Sequence, residues 1–217
     1  MTRIFRIGPA GGGLIPPEVF RSLQAGRAVV YPTDTLYGLG VDPGSAAALA
    51  RVISLKGRAE GKPIPLLLDA AERAVSFAAA VPAAAWRLME RFWPGGLTIV
   101  LPAASRLHPA VTGPERTVGL RVPDHPVPRA LARSLGGAVT GTSANRSGAP
   151  GRWREPEEIA RAFGGVVEWI LWEGPCRAPG KEGSPGSTVV SMTEGRPVLL
   201  REGVIPFRSV TEYLERG

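Results

Sequence analysis

Four short segments of the sequence combine hydroxyl, amide and cationic side chains with glycine, a mixture suited to binding anions. They are YPTDTLYGLG (31–40), LKGRAEGKP (55–63), TGTSANRSGAP (140–150) and GSPGSTVVS (183–191). The first and third follow apolar runs with the pattern of strands, so their polar groups would lie at strand ends, where open α/β sheets usually bind ligands. Hydroxyls and backbone N–H groups on glycine-rich loops bind phosphate. The pattern favours a site for a nucleotide or another phosphate.

The first segment fits no ordinary element. Pro32 lacks a backbone N–H and stops ladder pairing, so Thr35 and Tyr37 can project into a cleft. A local turn, in which Thr33 and Asp34 hydrogen-bond nearby backbone groups, is the competing interpretation. It accounts for Asp34 and leaves Thr35 and Tyr37 unexplained.

The second segment carries three cations, Lys56, Arg58 and Lys62, on a chain interrupted by glycine. A helix would spread them around its surface, whereas a loop can turn them toward one point and bind phosphate oxygens by charge-assisted hydrogen bonds. A solvated loop also explains one or two surface cations. This segment alone leaves both interpretations open.

Arg121 lies inside an apolar run in TVGLRVPDHP (117–126). An unpaired charge is costly in a strand, and the two-residue alternation places Leu120 and Val122 on the opposite face. We therefore expect Arg121 to face an anion or a carboxylate partner in a cleft.

The bulk properties set limits on the function. The 217 residues are 44% hydrophobic and 21% charged, as in ordinary globular proteins. One cysteine, Cys176, and two distant histidines, His108 and His125, make an internal disulfide impossible and a structural zinc site unexpected. Each histidine lies beside a proline, and we expect both at the surface.

Neither a signal peptide nor an apolar run of about 18 residues is found in the sequence. We therefore expect one soluble, cytoplasmic domain over 1–217 with no membrane partner.

The net charge of +7 favours anionic partners such as phosphates, nucleotides or RNA. An arginine-rich composition of genomic origin explains the same excess, so charge alone does not decide the function. The sequence has no Walker A motif, no G-x-G-x-x-G after a strand and no credible Ser-His-Asp set. Any nucleotide site would belong to a less common class.

Strand and helix patterns alternate along the chain. Apolar runs bounded by Gly and Pro predict strands at 3–7, 28–31, 64–68, 97–101, 117–122, 138–140, 166–171, 188–191 and 198–201. Helical periodicity predicts helices at 17–25, 45–55, 70–79, 82–92, 127–135, 156–163 and 210–215. Short gaps between some strands require antiparallel pairs, so we predict an α/β fold with a twisted, mixed sheet flanked by helices.

The ordered set of motifs resembles the YrdC-like family of L-threonylcarbamoyladenylate synthases. The matching pieces are YPTDTLYGLG, KGR with KPIPLLL, WPGGLTIVL, TVGLRVPDHP, TGTSANRSG, GSTVV and LLREG, which cover roughly residues 28–203. The resemblance is to the short, single-domain members. It implies an open mixed sheet, shared with a riboflavin-pathway synthase, with a basic concave cleft.

The resemblance implies condensation of L-threonine, bicarbonate and ATP to threonylcarbamoyl-AMP and pyrophosphate, with Mg²⁺ accompanying the ATP. A separate transferase complex would then pass the threonylcarbamoyl group to the adenosine beside the anticodon of tRNA. The alternative is a non-catalytic protein of the same fold that binds tRNA or double-stranded RNA. A related carbamoyl transfer and a paralogue with another substrate are further alternatives.

The resemblance also implies roles for ten residues. Threonine would contact Thr35, Arg121 and Ser187. ATP would contact Lys56, Arg58, Lys62, Thr117, Ser143, Asn145 and Arg201. Lys56, Arg58, Ser143 and Asn145 would form the catalytic set, and no protein ligand for the metal is implied. Some longer members have His where this chain has Leu67, so no threonine contact is carried over there.

Overall fold

A computed structural model describes residues 1–8, 14–57, 61–145, 153–175 and 186–216. The strands are β1 (Arg3–Arg6), β2 (Ala28–Tyr31), β3 (Gly38–Gly40), β4 (Leu66–Leu68), β5 (Leu97–Pro102), β6 (Thr117–Arg121), β7 (Ala138–Thr140), β8 (Thr142–Ser143), β9 (Val167–Trp172), β10 (Thr188–Ser191) and β11 (Val198–Arg201). The helices are α1 (Pro17–Gln24), α2 (Ala46–Lys56), α3 (Ala74–Phe77), α4 (Ala83–Phe92), α5 (Pro109–Thr112), α6 (Pro126–Ser134), α7 (Pro156–Ala162) and α8 (Phe207–Glu215). Arg58 and Cys176 lie outside the described residues.

Each predicted strand corresponds to an observed strand, and the predicted helices are found with shifts of a few residues at their ends. The segment predicted as one helix over 70–79 is a 3₁₀ turn, Ala71–Arg73, followed by α3. Strands β3 and β8 and the one-turn helix α5 were not predicted. These strands have two or three residues, too few to show a hydrophobic period.

The predicted mixed arrangement is confirmed, but the strands divide into two hydrogen-bonded sheets. The five-stranded sheet has the order β1-β9-β2-β3-β8, and the six-stranded sheet has the order β11-β10-β5-β6-β4-β7. Each contains parallel and antiparallel pairs: β2 runs parallel to β9 and antiparallel to β3, while β5 runs parallel to β10 and antiparallel to β6. Among the described residues, no helix is long and apolar enough to span a membrane.

The chain leaves the six-stranded sheet for the five-stranded one at Gly141, which separates β7 from β8. The Gly141 N–H donates to the carbonyl of Pro65 at 2.7 Å. A Cβ at this position would lie 2.5 Å from Leu67 Cγ, closer than real contacts allow. The crossing therefore requires glycine, which explains the T-G-T sequence at this point.

Alternation along the six-stranded sheet separates an apolar face from a polar face. Leu97, Ile99, Leu101, Val118 and Leu120 belong to the main core cluster and are fully buried. The intervening residues of the same two strands, Thr98, Val100, Thr117, Gly119 and Arg121, line a cleft. The two-residue period of β5 and β6 thus places one set of side chains in the core and the other at the site.

Tyr31 fixes the hairpin formed by β2 and β3. Its ring is fully buried, its hydroxyl donates to the carbonyl of Thr140 at 2.6 Å, and burial raises the pKa of that hydroxyl. A Cβ at Gly38 would lie 2.5 Å from Tyr31 Cε2, and a Cβ at Gly40 would lie 2.5 Å from Cε1. The two glycines of the YGLG sequence make room for this ring.

We expect Gly40→Ala to lower the free energy of unfolding by about 1–3 kcal/mol, because overpacking a tethered, buried ring costs that much. Urea denaturation measures the change. Gly186→Ala is the matched control, since a Cβ there meets only ordinary contacts at 3.6 and 3.8 Å. Equal stability of the two variants would contradict the packing role of Gly40.

Candidate functional site

A cleft of about 570 Å³ is lined by residues from both sheets. Its volume lies within the range of about 300–1,000 Å³ that is usual for small-molecule sites. All the predicted site residues that the structure describes line this cleft: Thr35, Lys56, Lys62, Thr117, Arg121, Ser143, Asn145, Ser187 and Arg201. Segments far apart in sequence are thus brought to one place, as the motif pattern predicts.

Arg121 is 5% exposed and makes three hydrogen bonds with fixed partners. Its Nε donates to the carbonyl of Gly95 at 2.8 Å, Nη1 donates to Thr35 Oγ1 at 3.0 Å, and Nη2 donates to Asp34 Oδ1 at 2.5 Å. Arg121 lines the cleft and has a carboxylate partner, as expected, and that carboxylate is Asp34. A buried guanidinium with this pairing has a fixed orientation.

The loop between β2 and β3 combines the two interpretations of its sequence. Thr33 forms the local turn: its hydroxyl donates to the carbonyl of Leu36 at 2.6 Å and accepts from the Thr35 N–H at 3.0 Å. Among the described residues, the Asp34 carboxylate makes no hydrogen bond to the local backbone. It pairs instead with Arg121, 87 positions away in the sequence. The turn therefore presents Thr35 to the cleft and Asp34 to the arginine.

Lys56 is the last residue of α2 and is 5% exposed. Gly57 ends the helix in the left-handed conformation, at φ 55°, which turns the chain away directly after the lysine. Lys56 Nζ lies 2.5 Å from the carbonyl oxygen of Ser143 and 3.4 Å from Asn145 Oδ1. The Ser143 hydroxyl also donates to Asn145 Oδ1, at 2.5 Å. Lysine, serine and asparagine thus form one cluster, at the meeting of α2 with β8.

A second cluster lies where β10 begins and β11 ends. Arg201 donates to the carbonyl of Ser187 at 2.8 Å through Nη2, and the Ser187 hydroxyl lies 2.8 Å from Thr98 Oγ1. Desolvation lowers the pKa of Arg201, and the positive charge of Arg121 lowers it further. The two arginines therefore act on one another electrostatically, and an anion bound near them would relieve that repulsion.

The remaining predicted residues, Lys62 and Thr117, line the cleft from the segments before β4 and at the start of β6. Lys62 is exposed and Thr117 is half-buried. Of the described lining residues, four are cationic and one, Glu115, is acidic. This excess of positive charge suits an anionic ligand.

The structure adds functional candidates that the motifs did not single out. Thr98 and Leu67 line the cleft, and Asp34 holds Arg121.

The expectation that His125 lies at the surface is wrong, since the residue is 8% exposed. Its Nε2 lies 2.7 Å from Glu173 Oε2, and its Nδ1 accepts from the Val127 N–H at the start of α6. His108 is exposed, as expected, although it too directly precedes a helix that begins with proline. The His-Pro sequence therefore does not distinguish the buried histidine from the exposed one.

The described part of the chain contains no group of three or more His, Cys, Asp or Glu residues that could hold a metal ion. The side-chain oxygens of the lysine cluster, the Ser143 hydroxyl and the Asn145 amide, are neutral. Such oxygens suit Mg²⁺ only as additions to stronger ligands, because Mg²⁺ in nucleotide sites is bound largely by phosphates and water. The described oxygens therefore fit a metal that is bound mainly by phosphates and water.

Comparison with known proteins gives consistent matches. The family model Sua5_yciO_yrdC, described as "Telomere recombination", matches residues 21–203. The threonylcarbamoyl-AMP synthase of Halorhodospira halophila is 36% identical over 202 residues, which make up 93% of this chain and 92% of the relative. The threonylcarbamoyl-AMP synthase of Pyrococcus abyssi is 34% identical over 192 residues, 88% of this chain. The matched region spans only 55% of that relative's length.

Among solved structures, the crystal structure of P. abyssi Sua5 complexed with L-threonine is similar to this one. The TM-score is 0.86 and the sequence identity 30%, over 98% of this chain and 61% of that chain. The predicted fold is therefore found in a relative of appreciable sequence identity. Because the family model matches most of the chain and a curated relative is matched over nearly its whole length, the chain belongs to the Sua5/YciO/YrdC family.

Proposed function

We propose that this protein condenses L-threonine, bicarbonate and ATP to threonylcarbamoyl-AMP with release of pyrophosphate. The observation that carries the proposal is the cleft itself, in which a buried arginine and two hydroxyls face a cationic lysine cluster within one volume of about 570 Å³. Relatives named threonylcarbamoyl-AMP synthase support the activity, and the threonine complex of P. abyssi Sua5 supports threonine as a substrate.

The amino-acid end of the cleft is formed by Arg121, Thr35 and Ser187. Arg121 would bind the threonine carboxylate, since a guanidinium pairs with a carboxylate through two hydrogen bonds. Thr35 and Ser187 place hydroxyls beside the two arginines, Arg121 and Arg201, where they can accept from or donate to polar groups of the amino acid. These contacts would fix the direction in which the amine points.

The reaction then proceeds in two bond-forming steps. Bicarbonate takes up a proton and loses water to give CO₂. The neutral threonine amine attacks the carbon of this CO₂, forming an N–C bond as one C=O π-bond breaks towards oxygen, and the nitrogen loses a proton to solvent, which gives the carbamate. A carbamate oxygen attacks the α-phosphorus of ATP, and the bond to the β-bridging oxygen breaks as pyrophosphate leaves. Negative charge gathers on the α-phosphate and on the leaving group in this second step.

The lysine cluster would stabilise that charge. Lys56 is held by the carbonyl of Ser143 and the amide oxygen of Asn145, so its ammonium group is positioned before the substrate arrives. Preorganised charge of this kind acts on the transition state without reorganisation. Arg58 shares the predicted role but lies outside the described residues. Lys62 and Arg201 would bind the outer parts of the nucleotide from the rim.

Mg²⁺ would enter with ATP and neutralise part of the phosphate charge. Ser143 and Asn145 supply the neutral side-chain oxygens of the lysine cluster, and they would orient the phosphates around the metal. We also propose the downstream role: the product would supply a transferase that modifies the adenosine beside the tRNA anticodon. Direct binding of tRNA or double-stranded RNA, and the cytoplasmic location, stay predictions.

The first experiment is pyrophosphate release from ATP with and without L-threonine and bicarbonate. We expect release only when both are present, because carbamate is the nucleophile in the second step. Liquid chromatography with mass detection should find threonylcarbamoyl-AMP in the same reaction. Release without threonine would point to another acceptor. No release, together with RNA binding that weakens steeply as salt rises, would favour the binding protein.

Lys56→Met should lower kcat by roughly 10²–10³-fold, the usual effect of removing a preorganised charge from a transition state. Methionine keeps most of the apolar stem, so the thermal midpoint should change little. Arg196→Met is the matched control: this arginine has 78% side-chain exposure and pairs only loosely, at 3.6 Å, with Glu194. Wild-type turnover in Lys56→Met would remove the lysine from the catalytic set.

A further inference from the structure

Asp34 is an acidic residue in contact with the buried guanidinium of Arg121. The Asp34 side chain has 17% exposure and the Arg121 side chain 6%, and Oδ1 lies 2.5 Å from Nη2. Burying a guanidinium without a counter-charge is costly. In the described part of the chain, no other salt bridge to Arg121 is formed.

Asp34 is not among the described residues that line the cleft. Its neighbours Thr33 and Thr35 both line the cleft, as does Arg121. The carboxylate therefore binds the guanidinium without occupying the volume in which a substrate would lie.

The hydrogen-bond count of Arg121 leaves room for a ligand. A guanidinium has five N–H groups. Within the described residues, three of them are used, by Gly95 at Nε, Thr35 at Nη1 and Asp34 at Nη2. One N–H remains on each terminal nitrogen, and each can donate to an oxygen of a ligand that enters the cleft.

From these contacts we infer that Asp34 is a positioning residue, which fixes the Arg121 guanidinium so that its two remaining N–H groups bind the carboxylate of the amino-acid substrate. The inference rests on the proposed function, because it concerns the substrate site of that reaction. Without Asp34, the arginine would lose its fixed orientation in the empty cleft, and the substrate carboxylate would have to order it on binding. The loss of this fixed orientation would weaken binding of the substrate carboxylate and would not affect the reaction at the phosphate.

The test compares L-threonine with L-threoninamide, which keeps the amine and side chain but lacks the carboxylate. Pyrophosphate release gives kcat/KM for each, and their ratio measures carboxylate recognition. We expect Asp34→Ala to lower this ratio roughly tenfold to hundredfold, the size of effect expected when a buried charge-assisted contact is lost. The change should come through KM for threonine, with kcat at saturation altered only a few-fold.

Two further variants make the outcome decisive. Asp34→Asn keeps an oxygen that can accept from Nη2 and should recover part of the ratio. Asp124→Asn changes an exposed aspartate three residues beyond Arg121 and should leave the ratio at its wild-type value.

A wild-type ratio in Asp34→Ala would overturn the inference and leave the proposed function intact. Equal losses for both substrates would reveal a merely structural role and would overturn it as well. If wild-type protein releases no pyrophosphate in response to threonine, the proposed function fails and this inference fails with it.

Discussion

The burial of one positive charge is the constraint on which the cleft depends. Arg121 lies at the end of β6, between β5 and β4 in the six-stranded sheet, and it is 5% exposed. A guanidinium in such a place must be hydrogen-bonded and paired. Its partners are the Gly95 carbonyl, in the turn before β5, and two residues of the loop between β2 and β3. Because β2 and β3 belong to the five-stranded sheet, the same bonds that satisfy the charge also connect the two sheets across the cleft.

A second arginine of the cleft is held differently. Arg201 donates to the carbonyl of Ser187. A carbonyl fixes the position of a cation without cancelling its charge, whereas a carboxylate does both. The cleft thus has one arginine whose orientation is fixed by a counter-charge and another positioned by a neutral acceptor. This difference suits a site with two tasks, since recognition of a small carboxylate needs orientation and stabilisation of phosphate needs charge.

Much of this arrangement could be predicted from the sequence, since the two-residue period of a strand is a local property. The position of Arg121 between Leu120 and Val122 predicts a charged side chain facing away from the core. The structure confirms it, since Leu120 and Val122 belong to the core and Arg121 lines the cleft. Local patterns also predict the ends of the strands, where the site residues lie. The division into two sheets could not be predicted, because it depends on which strands pair, and β3 and β8 are too short to show a pattern. The partner of Arg121 was equally hidden, since an aspartate in a turn sequence has a sufficient local explanation.

The glycines are the residues whose role is least predictable from the local motif. Glycine beside hydroxyls is typical of a loop that binds phosphate, and Gly38 and Gly40 fit that description in the sequence. In the fold, a Cβ at either position would lie 2.5 Å from the ring of Tyr31, whose hydroxyl is bonded to Thr140. Gly141 likewise makes room for Leu67 where the chain crosses between sheets. These glycines allow close packing beneath the site. That packing holds Thr35, which precedes β3, and Ser143, which ends β8 opposite Gly38, at the same end of the antiparallel pair and in one cleft. Glycine thus serves the site indirectly, because it lets the backbone come close to neighbouring side chains. A side chain at any of these three positions would displace the hairpin that carries the hydroxyls.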